Sequence, residues 1–207
     1  LEVKSFKELL KLIKIKKDFV LKPAVARGGR DVYIVTNKGN VEKSLNNGRE
    51  LHCNLNIFKS KYAKKIKNYP LILMEKLVPP TYDLDILAYH GLLKKIILRR
   101  RIVPHEPNSG HIFEKIPSKI LKDFKKIAKN LKLNWLYDCD LMKDKNGNFK
   151  ILEINPRPSG SVSVTCAAGV NLFEDLFLMY FNKKITSKYG LKKKIIIKPV
   201  KNLINLQ

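Results

Sequence analysis

The stretch from Leu136 to Pro158, with YDCDLMKDKNGNFKILEINPRP at its heart, constrains this chain more than any other. Asn146-Gly147 between two strand-like runs is a strong hairpin signal, because a type I′ turn needs positive φ at both central residues. If those two form the loop, Lys145 pairs with Asn148. The same register sets Asp140 directly across from Glu153 and Asp138 across from Asn155. Period-two alternation puts these four side chains on one face, together with Met142, and sends Cys139, Leu141, Leu152 and Ile154 to the other. One face is core, and the other gathers oxygen ligands.

Two carboxylates placed directly across a ladder repel each other. A bound cation reverses the sign. Carboxylate and amide oxygens without His or Cys suit a hard ion such as Mg²⁺, which often also takes oxygens from a nucleotide's phosphates. The plainer reading is an ordinary hairpin with a solvated acidic face. Against it stands the sequence that follows Asn155, Pro156-Arg157-Pro158-Ser159-Gly160-Ser161. It sets Arg157 two residues beyond the expected ligands on rigid backbone, where a fixed charge could hold an anionic reactant or a transferring phosphoryl group.

Two upstream segments are less specific. Lys22 ends a short strand, Phe19–Leu21, and Arg27-Gly28-Gly29-Arg30 follows. Glycines let backbone N–H groups approach phosphates, and flanking bases add charge. This is not a Walker A loop, since no Gly-Lys-Ser/Thr follows, and a plain turn beside a surface lysine reads equally well. The second segment, Leu71 to Leu77, carries Glu75-Lys76-Leu77 where a buried strand leaves the core. Backbone groups exposed there could meet an adenine edge, or the segment could be only a strand end.

The net charge of +24 raises the question of a polyanionic partner. Lysines are dispersed along the whole chain and no aromatic interleaving marks the basic runs, so a solvated surface explains the charge better than a nucleic-acid face. Arginine is used selectively. Arg27, Arg30 and Arg157 fall in the segments singled out here, Arg99, Arg100 and Arg101 run together in the strand-like stretch Leu92–Val103, and only Arg49 stands apart. The guanidinium fork matches carboxylate and phosphate, which points to oxyanion recognition. Cys53, Cys139 and Cys166 are odd in number and widely spaced, which argues against disulfides or a zinc site and fits a cytoplasmic protein. No apolar run approaches the length of a membrane span.

Elsewhere, apolar spacing predicts helices over 5–16 and 118–131, the latter with Ile120, Phe124, Ile127 and Leu131 on one face. Residues 41–67 read as polar and partly helical. Asn171 with Glu174 predicts a capped helix through Phe181. Pro79-Pro80 reads as a breaker between two lobes, and Tyr82–Tyr89 and Leu92–Val103 as strands joined at His90-Gly91.

Taken in order, VLKP with its Gly/Arg loop, LMEKL, YDLDILAYHG, DCDLM and LEINPRPSGS resemble the ATP-grasp superfamily. The resemblance covers about residues 19–181 and lies nearest the branch of the carbamoyl-phosphate synthase large subunit and biotin carboxylase. It implies an α+β fold of two lobes, 1–78 and 79–207, each with an antiparallel sheet and helices, and a nucleotide between them. It also implies a ligase that phosphorylates a carboxylate with ATP for attack by an amine or other nucleophile. Lys22, Arg27, Gly28, Gly29 and Arg30 would serve the ATP phosphates, Glu75, Lys76 and Leu77 the adenine, and Met142 a place beside the base. Asp140, Glu153 and Asn155 match the ligands of Mg²⁺, two ions being expected, and Arg157 matches the reactant clamp.

There are two departures. Thr81 stands where the family has an acid for the ribose, so Asp83 is the expected stand-in. The family also carries an upstream region with a further phosphate-binding lysine, and this sequence has no counterpart to it. That leaves a second reading, an ATP- and Mg-binding module dependent on an N-terminal partner chain or missing domain. A nucleic-acid-binding protein is the weaker third.

Overall fold

The computed structural model describes residues 1–25, 30–45, 48–103, 106, 109–185 and 195–200. The chain divides into two units, Leu1–Leu77 and Val78–Gln207. The Arg27, Gly28 and Gly29 positions lie outside the described residues.

The first unit is a six-stranded sheet built from β1 (Glu2–Val3), β2 (Phe19–Pro23), β3 (Val32–Thr36), β4 (Glu42–Leu45), β5 (Glu50–Asn54) and β6 (Leu71–Met74), in the order β1-β6-β2-β3-β5-β4. Its pairs are antiparallel except β3 with β5, which run parallel. Helix α1 (Phe6–Ile15) starts where the sequence predicts, because the Ser5 hydroxyl accepts from the Glu8 N–H and satisfies an otherwise unpaired donor. Leu9 and Ile13 bury against Phe19, Leu21, Val35 and Cys53 of the strands. The same core receives Phe58 and Ala63 from an irregular helical stretch that opens with α2 (Leu55–Ile57), capped by Asn54.

The region 41–67 is therefore only half helical. Its first part forms β4 and β5, which the sequence does not announce. β4 is an edge strand whose Glu42, Lys43 and Ser44 are all exposed, so no buried face imprints an alternation that could reveal it.

The second unit holds the other sheet, from β7 (Val78–Tyr89), β8 (Leu92–Arg101), β9 (His111–Glu114), β10 (Leu136–Lys143), β11 (Phe149–Asn155) and β12 (Ile196–Ile197), ordered β11-β10-β7-β8-β9-β12. Each neighbouring pair of these strands is antiparallel. Alternation along β7, β8 and β10 sends Leu84, Ile86, Ile96, Leu98, Cys139 and Leu141 to one face. There they pack on Ile120, Phe124 and Ala128 of α3 (Ser118–Asn130). The other face carries Leu87, Ile97, Phe113 and Leu136. A shorter helix, α4 (Val162–Ala167), leads to α5 (Leu172–Tyr180), whose Leu172 and Met179 lie over that face. Asn171 caps α5 by accepting from the Glu174 N–H.

The division between the units falls between Leu77 and Val78, beside Pro79 and Pro80. The two prolines themselves lie within β7, where the ladder with β10 shifts register between Leu141 and Lys143. Residues without an N–H fit a sheet where its ladder is interrupted.

Candidate functional site

The site grows out of the β10–β11 hairpin. Asp138 pairs with Asn155 and Asp140 with Glu153, but the turn differs from the one predicted. Asp144 N–H donates to Asn148 O, leaving a three-residue loop, Lys145-Asn146-Gly147, in which only Gly147 takes positive φ. The cause is Asp144. Its Oδ1 accepts from the backbone N–H groups of Asn146 and Asn148, both at 2.9 Å, and so fixes an Asx turn that a type I′ loop would forgo. This loop shifts the register by one near the turn, with Leu141 opposite Ile151. A bulge at Leu152 then shifts it back before Asp140. Two departures from the regular hairpin cancel, so the Asp140–Glu153 rung stands where the simple register placed it.

Asp140 and Asp138 belong to longer rows. Glu153, Asp140, Asp83 and Arg99 are successive neighbours across β11, β10, β7 and β8. The next row is Asn155, Asp138, Asp85 and Ile97. Five carboxylates thus crowd one sheet face. The sequence places Asp138, Asp140 and Glu153 on this face and offers Asp83 only as a stand-in for the ribose acid. It does not single out Asp85, nor the placement of the Asp-x-Asp pair of β7 beside that of β10. The signal was available: YDLD and DCD are two Asp-x-Asp strands, and pairing them in register aligns four acids.

The arginines meet these acids. Arg101 grips Asp83 through Nε and Nη2, at 2.9 Å to Oδ2 and 2.6 Å to Oδ1, and its Nη2 also donates to Asp140 Oδ1 at 2.8 Å. His111 Nε2 lies 3.0 Å from Asp83 Oδ2. Arg99, fully buried, donates from Nη2 to Asp85 Oδ1 at 2.8 Å and from Nη1 to Ser161 Oγ at 3.0 Å. Arg100 pairs with Glu114. The oxyanions that Arg99, Arg100 and Arg101 recognise are therefore the protein's own, which corrects the expectation drawn from arginine usage. The expectation for Asp83 changes likewise. Its carboxylate is buried and both oxygens are taken by Arg101, one of them also by His111, so it does not stand ready for a ribose.

Electrostatics separate the acids. Burial raises Asp83, but hydrogen bonds from His111 and Arg101 outweigh it and hold its carboxyl well below the usual range. Asp140 is pushed up to about 7, first by burial; Arg101 opposes the shift, and Asp83, Asp138 and Glu153 add to it. Asp138 is pushed up to about 6 by burial and by the charges of Asp83 and Asp85. Near Asp140 and Asp138 the face is short of positive charge.

That is what a cation site needs. Oxygens of Asp83, Asp138 and Asp140 lie within 4.8 Å of one another, and Asp138 Oδ1 is buried without a hydrogen-bond partner. Asp140, Glu153 and Asn155 bring carboxylate and amide oxygens to the same face, although Asn155 Nδ2 now donates to Glu153 Oε1 at 2.9 Å. The donor chemistry fits Mg²⁺.

Arg157 is exposed, with one nitrogen 3.4 Å from Asp138 Oδ2 and 2.9 Å from the Pro158 carbonyl. Its loop is anchored from beneath, since Ser161 bonds Arg99 and Ser159. Met142 is half-buried on β10, opposite Lys150. In the first unit, Lys22 is half-buried on β2 opposite Ile72, and Arg30 is exposed. Glu75, Lys76 and Leu77 follow β6 outside regular structure, with Glu75 exposed. All three cysteines are free, Cys53 and Cys139 being buried. No described helix is long and apolar enough to cross a membrane.

Against known proteins, the family described as ATP-grasp in the biosynthetic pathway with Ter operon matches residues 67–203, more than half of the chain. The chain belongs to that family, and its fold is the ATP-grasp fold. Among solved structures it is similar to the biotin carboxylase domain of Hydrogenobacter thermophilus 2-oxoglutarate carboxylase, determined with MgADP, ADP and bicarbonate. The TM-score is 0.60 at 16% identity, over 90% of this chain and 42% of that one. N5-carboxyaminoimidazole ribonucleotide synthetase from Thermotoga maritima gives a TM-score of 0.55 at 16% identity, covering 90% and 45%. L-amino acid ligase from Bacillus licheniformis gives 0.54 at 15%, covering 86% and 41%. The chain thus spans less than half of the length of each of these structures. No curated protein matches it.

Proposed function

We propose that this chain is the nucleotide- and metal-binding part of an ATP-dependent ligase that activates a carboxylate as an acyl phosphate, which an amine or other nucleophile then attacks. The observation that carries the proposal is the Asp140–Glu153 rung with Asn155 on the same face, an arrangement of oxygens with too little positive charge around it. Similarity to structures that include a MgADP complex and an amino acid ligase supports the same reading.

In this reading residues 1–78 form the small lobe and 79–207 the lobe with the metal site. Asp140, Glu153 and Asn155 would hold Mg²⁺, whose chemistry is to neutralise charge on the phosphates and the transferring group. Arg157 would turn its guanidinium to the anionic reactant, while Arg99, through Ser161, holds the loop that presents it. Lys22 and Arg30 would face phosphate, and Glu75, Lys76 and Leu77 the base. Arg101 keeps Asp83 and Asp140 from repelling each other when no ion is bound.

The test is ADP release from MgATP on adding a panel of amino acids as carboxylate and amine, with the wild-type chain alone and with any partner chain encoded beside it. ADP release that depends on the amino acid is the expected result. Mg-dependent ATP binding with no turnover under either condition would instead favour a nucleotide-binding module without ligase activity of its own.

A further inference from the structure

Of the three buried acids of this face, Asp83, Asp85 and Asp138, Asp138 is the one whose cation contact is long and exposed. It is 5% exposed, its Oδ1 is buried and accepts no hydrogen bond, and its Oδ2 has only the 3.4 Å contact with Arg157. Asp85 across the ladder is met by Arg99 and Thr165, and Asp83 and Asp140 are bridged by one nitrogen of Arg101. A buried carboxylate oxygen left unpaired is costly, and the cost is offset only when a donor or a cation meets it.

The surroundings say which kind. A divalent ion with octahedral demands needs several free oxygens at one point. At its own rung Asp85, across the ladder from Asp138, already carries Arg99 and a single carboxylate oxygen is open, whereas the carboxylates proposed for Mg²⁺ are Asp140 and Glu153 of the next rung. One open acceptor beside acids suits an N–H donor that bears positive charge. Arg157 already meets Asp138 in that way, but loosely: its side chain is 57% exposed. When Arg157 turns to an anionic reactant, the Asp138 carboxylate loses the cation in contact with it.

From this we infer that Asp138 is a specificity-determining residue that binds the amine substrate in its ammonium form, ahead of the loss of a proton to solvent that frees the lone pair for attack, and that it becomes available when an anion draws Arg157 away. This rests on the ligase reading above and names the charge state of the second substrate. It also sets an order of binding, with the activated carboxylate first and the cationic amine second. A neutral nucleophile gains no charge pairing from Asp138.

The experiment follows the Asp138 carboxyl directly, by NMR of protein labelled with carbon-13 at the aspartate carboxyl groups. The signal is identified by its loss in Asp138→Asn. Butylammonium, butanol and MgCl₂ are titrated separately, with and without inorganic phosphate to occupy Arg157. The expected result is a saturable shift with butylammonium, none with butanol, and a midpoint lowered roughly fivefold or more by phosphate, the scale of ordinary coupling between sites. A shift with MgCl₂ and none with butylammonium would make Asp138 a metal ligand and overturn the inference, as would a signal that no titrant moves. Calorimetry of MgATP binding to the same protein separates the two claims. No MgATP binding sinks the ligase reading whatever Asp138 does, whereas MgATP binding with an unresponsive Asp138 sinks only the inference.

Discussion

Two groups of charges share one face of the second unit's sheet, and they are solved in opposite ways. Towards α4 and α5, charge is buried and matched. Asp85 is held by Arg99 and Thr165, and Lys95 is paired with Asp175. Arg99, Lys95 and Asp175 are fully buried. Towards the hairpin, Asp138, Asp140 and Glu153 gather acid faster than Arg101 and Arg157 can offset it. The first group uses its electrostatics to hold two helices to the sheet. The second leaves acid without matching positive charge, which is the basis of the ligand site proposed above. Burial alone does not tell structure from function here; what does is whether each buried charge already has its counterpart.

The difference can be broken first where it should be largest. Asp85→Ala strands the Arg99 guanidinium in the core, and removing one partner of a buried pair costs about 3–5 kcal/mol. Guanidinium denaturation should show that loss, together with weaker anchoring of the Ser159–Ser161 turn. A loss below about 1 kcal/mol would mean that the pair contributes little and that the contrast is false.

A smaller effect is expected at the hairpin's bend. Gly147 has φ +82°, and a Cβ added there would have nothing within 4 Å, so Gly147→Ala meets only backbone strain. That strain is about 1 kcal/mol for an L-residue in the left-handed region, readable by the same denaturation. The response to Mg²⁺ should survive, because the rung is set further along the ladder.

The smallest effect belongs to Leu152. Deleting it removes the bulge and lets the near-turn register run through unbroken, which still leaves Asp140 opposite Glu153. Mg-dependent nucleotide binding should therefore persist in the deletion variant. Its disappearance would show that the bulge itself aims the ligands.

These hairpin variants also show what could be read from residues alone. Pairing of Asp140 with Glu153 was legible because alternation and a turn signal are local. The loop type was not, because Asp144 competes for the turn through its own side chain, and Asn146-Gly147 serves either geometry. The helices α1, α3 and α5 were legible from apolar spacing and from the caps Ser5 and Asn171. The strand β4 was not, since an edge strand with an exposed face leaves no pattern, and β5, inside the sheet, alternates Glu50, His52 and Asn54 with Leu51 and Cys53 over too few residues to stand out. The partners of Arg99, Arg101 and Lys95 were hidden for a different reason. They come from residues as far as 80 positions away, and only the register of β7 with β8 and β10, and the docking of α4 and α5, brings them together.

The central claim is that the Asp140–Glu153 rung is completed by a divalent ion. It is tested most directly by measuring stability in ADP with increasing Mg²⁺, for wild type and Glu153→Gln. An ion that binds only the folded chain stabilises it by about 2.7 kcal/mol at a hundredfold excess over its Kd. Wild type should rise with Mg²⁺ in that way. The variant should start level with wild type, or above it by up to about 1 kcal/mol because a like-charge pair is gone, and should then stay flat. Equal rises in the two proteins would contradict the account.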